Sequence, residues 1–129
     1  MLDTVFPRIP GDIGNAYSYT FPVRYKVVKG AKPDKIMKNE PDLDMLEPFI
    51  QAARELESEG VKAITTSCGF LAVFQKELSK AVRSPVFTSA LILVPLVRAM
   101  LNKEKWIAIF TFNAAATTER HFNGTGWSA

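Results

Sequence analysis

The sequence predicts an α/β domain, an open parallel sheet in three layers with helices on both faces. Short apolar or β-branched runs alternate with amphipathic stretches of ten or more residues, a spacing that suits parallel crossovers and not tight hairpins. The runs near residues 5, 65, 87 and 110 are each followed by small polar residues. The chain of 129 residues, 47% of them hydrophobic, supplies one core, which at this size buries roughly two-thirds of the unfolded surface. One domain over residues 1–129 is the expectation.

Taken in order, residues 1–5 form a short strand, and residues 6–15, rich in proline and glycine, form a long loop carrying Asp12 and Asn15. That loop reads equally as a solvent-exposed connection or as a ligand-facing one. Residues 21–28 alternate apolar and polar side chains as a second strand. Residues 30–41 are polar and punctuated, and Asp42 then caps a helix whose apolar stripe is Leu43, Leu46, Phe49, Ile50, Ala53 and Leu56. Asp42, Asp44 and Glu47 suit the positive end of its dipole, and Gly60 supplies the left-handed stop.

Residues 61–65 leave room for a short buried strand. Phe70, Leu71, Phe74, Leu78, Ala81 and Val82 mark a second amphipathic helix, which Ser84-Pro85 ends. Residues 86–89 form another strand, and 90–101 an apolar helix with a kink at Pro95. Residues 106–110 read as the clearest strand of all, and 114–122 as a helix by propensity.

In a parallel sheet the strand ends share one carboxyl edge, where open α/β sheets bind ligands. That edge gathers Asp12 and Asn15, Thr66 and Ser67, Thr88 and Ser89, and Thr111 and Asn113. It also holds Cys68, the only cysteine, at a strand-turn-helix junction completed by Gly69. Backbone N–H groups at such a turn favour thiolate over thiol and hold an anion. Cys68 is therefore the candidate catalytic thiol, and the Gly69 N–H and neighbouring hydroxyls are candidate carboxylate donors.

Other chemistries find less support. A formal charge of +3 with dispersed basic residues argues against a nucleic-acid partner. One cysteine excludes an intrachain disulfide and, with no apolar leader at residue 1, points to the cytoplasm. Residues 90–101 are too short for a membrane span, which needs about 20 apolar residues. His121, the only histidine, reads as an exposed helix residue, so neither a hydrolase pair nor a metal site is expected. The sequon at Asn123 carries no weight in a cytoplasmic protein.

Leu2-Asp3-Thr4, the block from Pro7 to Asn15, Phe21-Pro22-Val23, the block from Ile64 to Leu71 and Pro85-Val86-Phe87-Thr88-Ser89 together resemble the aspartate/glutamate racemase family. The resemblance implies a Rossmann-like or flavodoxin-like domain, one of the two similar domains of the racemase fold, with the second absent from this chain. It implies cofactor-independent racemisation or epimerisation of a small carboxylate through Cys68. Substrate binding then falls to Asp12, Asn15, Thr66, Ser67, Gly69, Thr88, Ser89, Thr111 and Asn113, with no cofactor and no metal. Glutamate racemases carry Asn-Thr where Gly69-Phe70 stand here, so the amino acid acted on does not transfer. The family's second cysteine has no counterpart, which implies a homo-oligomer or pairing with a missing domain. A carboxylate-binding protein without catalysis is the alternative.

Overall fold

Helical turns carry most of the regular structure of residues 1–128, which the computed structural model describes. The longest element is α2, Leu46–Ser58, preceded by a 3-10 turn at Leu43–Met45 and by α1, Pro33–Ile36. Asp42 caps this region as expected, its carboxylate accepting the Asp44 N–H at 3.1 Å. Pro48 has no N–H to offer, and α2 places it in the first turn, where none is needed. Phe49 and Ala53 turn inward, and Gly60 at φ +83° ends the segment.

The two strands, β1 at Ile64–Thr65 and β2 at Val86–Phe87, pair in parallel with Ile64 opposite Val86 and Thr65 opposite Phe87. Between them a 3-10 turn, Gly69–Phe74, runs into α3, Gln75–Ala81. The apolar spacing predicted one helix here. Phe70, Leu71, Ala72 and Phe74 are all buried, because the turn is covered from more than one side and not along a single stripe. Ser89 then caps a 3-10 turn at Ala90–Leu93 that leads into α4, Val94–Met100, and α5, Glu119–Gly124, lies near the end of the described residues. Pro95 sits in the first turn of α4, so the expected mid-helix kink does not arise.

The three-layer open sheet is not formed, and this corrects the predicted fold class. Residues 1–5, 21–28 and 106–110 belong to no strand. A parallel sheet is stable when both faces are covered. Here α2 and α3 pack together with Ile64 into one core, through Phe49, Ala53, Phe74 and Leu78, whereas α4 buries none of its residues and covers no second face. Trp106 and Phe110, which a central strand would enclose, are 95% and 98% exposed. Residues 1–3 still run beside 26–31, with the Val28 N–H donating to Met1 O and the Asp3 N–H to Ala31 O, each at 3.0 Å. Arg24 pairs with Glu59 and Lys26 with Glu55, which ties residues 21–28 to the end of α2.

One element had a readable signal that the polar composition of residues 30–41 hid. Pro33 at the start of α1 and Asp34 in its first turn are helix-start residues, and Ile36 is fully buried.

Candidate functional site

A cleft of about 750 Å³ opens where the ends of β1 and β2 meet residues 107–112, within the size range of small-molecule sites. Thr65, Thr66, Ser67, Cys68 and Gly69 line it from the first strand end, and Phe87, Thr88 and Ser89 from the second. Leu91, Val94, Ile107, Ile109, Phe110, Thr111 and Phe112 complete much of the wall. Among the described residues this lining contains no Asp, Glu, Lys or Arg. The parallel pairing of Ile64–Thr65 with Val86–Phe87 sends both hydroxyl clusters to the same edge.

Several of those hydroxyls hold the edge together. Thr66 Oγ1 donates to Thr88 O at 2.6 Å, with Cys68 O also within reach of that single hydrogen at 3.1 Å, so it bridges the two strand ends beneath the thiol. Gln75 clamps the second strand end: its Oε1 accepts from the Thr88 N–H and Oγ1, and its Nε2 donates to Val86 O at 3.0 Å. Ser89 Oγ accepts the Leu91 N–H, and an added Cβ on Gly69 would lie 3.4 Å from that oxygen. The Cys68 turn thus lies against Ser89, and a methyl group at residue 69 would stand in ordinary van der Waals contact with it.

Cys68 has extended backbone angles and 8% of its surface exposed. Burial pushes its thiol above the ordinary 9.0, and the N–H groups of Phe70 and Leu71, which favour the thiolate, offset this only in part. The expectation of a turn that favours thiolate over thiol is thus corrected. Desolvation of the sulfur outweighs the amides.

Thr111 Oγ1 lies 2.8 Å from Thr117 Oγ1, and both residues line the cleft. Asp12, Asn15 and Asn113 are not among its lining residues. The Asp12 carboxylate is held by the Gly14 N–H at 2.6 Å and by Arg8 at 3.0 Å, and the Gly14 N–H is the larger cause of its lowered pKa. Asn15 donates to Arg8 O and accepts from the Tyr17 N–H, and Asn113 Oδ1 accepts from the Ala116 N–H. Local turn closure uses these polar groups, and of the 8–15 loop only Ile13 borders the cleft.

His121 is the residue that sequence reasoning misplaced. It is 1% exposed and lines the same cleft as Cys68. Its Nδ1 accepts the Thr118 N–H at 3.1 Å in a capping box, and the ring meets the Phe70 ring edge-on with centroids 5.0 Å apart. Burial lowers its pKa below 6.5, so the ring is neutral at neutral pH. The threonine three residues before it was the available signal. Among the described residues no group of three or more His, Cys, Asp or Glu is placed to hold a metal ion, and no helix is long and apolar enough to cross a membrane.

Comparison with known proteins gives a lyase name. The chain is 33% identical over 121 residues to a dimethylsulfoniopropionate lyase of Durusdinium sp. clade D, covering 93% of this chain and 40% of that protein. It is 35% identical over 112 residues to dimethylsulfoniopropionate lyase 7 of Emiliania huxleyi (strain CCMP1516), covering 87% of this chain and 33% of the relative. Dimethylsulfoniopropionate lyase 6 of the same organism is 34% identical, with 29% of its length covered. The chain thus spans well under half the length of these curated relatives. No family model and no solved structure matches. These relatives correct the resemblance to aspartate/glutamate racemases, together with the racemase and isomerase function drawn from it, because proteins alike over most of the chain are named for cleavage.

Proposed function

We propose that this chain forms part of a lyase that cleaves dimethylsulfoniopropionate, with Cys68 as the base that removes a proton from the carbon next to the carboxylate. The observation that carries the reading is a buried thiol in a cleft of hydroxyls and aromatic rings without a charged side chain, in a chain related to proteins named for this cleavage.

The substrate is a zwitterion, with a dimethylsulfonium on one end of a three-carbon chain and a carboxylate on the other. A lining without formal charge suits a ligand of zero net charge. Phe87, Phe110 and Phe112 offer aromatic faces to the sulfonium, as such rings do for quaternary ammonium groups. When Cys68 as thiolate takes the proton, the electron pair of that C–H bond forms a C=C bond and the C–S bond breaks. Dimethyl sulfide leaves with the sulfonium's electron pair restored, acrylate remains, and the proton resides on the Cys68 sulfur until water removes it. Hydrogen-bond donors facing the carboxylate stabilise the charge that builds there during proton removal.

The test is a proton NMR record of the substrate incubated with the chain in alkaline buffer. Vinyl signals of acrylate should grow in step with dimethyl sulfide, and prior alkylation of Cys68 should stop both. Substrate left intact by protein at equal concentration, with Cys68 still reactive, would overturn the proposal.

The same reading includes association with a second copy. Leu96, Met100 and Trp106, none of which lines the cleft, are 60%, 76% and 95% exposed, an amount of uncovered apolar side chain that favours burial between molecules. Sedimentation should show dimers or larger species as concentration rises, and a single monomeric boundary at high concentration would count against it.

A further inference from the structure

His121 presents a buried donor with no acceptor. Its Nδ1 receives the Thr118 N–H and so carries no proton of its own, which leaves the neutral ring's hydrogen on Nε2. That Nε2 is enclosed and has no hydrogen-bond partner. A buried N–H without an acceptor is costly, and such atoms in folded proteins call for a missing partner. His121 is among the residues that line the cleft holding Cys68, and among the described residues no arginine or lysine lines that cleft to meet an anion. Among the described residues the other enclosed side-chain atom without a partner, Thr4 Oγ1, belongs to a residue outside that lining.

We propose that the Nε2–H of His121 is the donor that receives the carboxylate of the ligand. The proposal rests on the lyase reading for the identity of that ligand. The tautomer decides the role: with Nδ1 occupied and Nε2 protonated, the ring donates a hydrogen bond and does not take the substrate's proton, which stays with Cys68. Because Nε2 is closed off from solvent, the carboxylate reaches it only with a small outward shift of the groups around it and is the end that goes deep, and the sulfonium end lies toward Phe110 and Phe112, the exposed rings of the cleft. Depth also selects a short acid, since a branched or bulky chain would keep the carboxylate from the ring.

His121 is the only histidine, so its ring nitrogens give a single set of signals in a long-range proton–nitrogen NMR spectrum of the 15N-labelled chain. The free protein should show the Nε2–H form. Saturating acrylate should move the Nε2 and Hε2 signals, and trimethylsulfonium, which has no carboxylate, should leave them in place. His121→Phe should weaken acrylate binding by about 10-fold or more, the size expected for one hydrogen bond to a charged acceptor. His121→Gln, which keeps a side-chain N–H, should recover part of the loss.

A ring found as the Nδ1–H form, acrylate binding that leaves the ring signals unmoved, or no acrylate binding at all would overturn the proposal without recourse to a variant. Turnover of dimethylsulfoniopropionate is measured on the same unmodified sample. Turnover with unmoved ring signals removes His121 and leaves the lyase reading standing. Shifted ring signals without turnover support the carboxylate site and remove the lyase reading.

Discussion

Serine in place of Cys68 is expected to lower dimethyl sulfide release by about 1,000-fold, within the range that a positioned base contributes. The serine hydroxyl has nearly the same size but does not ionise in the accessible pH range, so the turn is kept and the base is lost. A serine variant retaining a tenth of the activity would remove Cys68 from the reaction. The pH dependence gives a second reading of the same atom. The thiol must lose its proton to act, and burial moves its pKa above 9.0, so kcat/KM should rise with pH through a midpoint higher than that of an exposed thiol. Alkylation of Cys68 by iodoacetamide should follow that rise.

The sequence carried the parts of this site that depend on local order. Phe49 and Ala53 recur at helical spacing and Gly60 stops the segment, so the body and end of α2 were legible, whereas Leu43, expected in the buried stripe, lies 68% exposed in the 3-10 turn before it. The hydroxyls after residues 65 and 87 were legible because two parallel strands necessarily end on one edge. Residues 106–110 show why the sheet was not. Alternating β-branched and aromatic residues make a good strand wherever a partner covers them, and the pattern carries no information on whether one does. Asp12 and Asn15 lie outside the cleft lining for another reason, since Gly14, Arg8 and Tyr17 lie close enough along the chain to take up their hydrogen bonds. His121 was hidden because its burial depends on α5 docking onto the turn after Cys68, a contact between distant parts of the chain. The proposed reaction was hidden for a chemical reason. A thiol base at the carbon next to a carboxylate would remove a proton in either reaction, but whether a leaving group then departs depends on the ligand's next carbon, which no residue of this chain encodes.

The contact that brings His121 to the cleft should fail in one substitution, Gly124→Ala. A Cβ at residue 124 would stand 2.1 Å from Ala72 O, 2.9 Å from Ala72 C and 3.0 Å from Val73 Cα, all backbone atoms of the turn at Gly69–Phe74. A flexible side chain could swing aside, but this turn is pinned by the Leu71 N–H donating to Cys68 O at 3.1 Å and by four buried side chains. The helix must therefore move, carrying His121 from Phe70 and straining the bond of Trp127 Nε1 to Leu91 O at 2.9 Å. Overpacking of this kind costs about 3 kcal/mol, which should appear as a lower urea midpoint at unchanged slope. Two local readouts should change with it: the His121 pKa should rise toward 6.5 as the ring regains water, and Cys68 should alkylate faster at fixed pH. Gly126→Ala is the comparison, because its φ of +91° makes alanine cost about 1 kcal/mol while no atom stands within 4 Å of the new Cβ. That variant should lose stability without moving the His121 titration. Equal losses from the two substitutions, with His121 unmoved in both, would mean that the close approach at Ala72 does not seat the histidine.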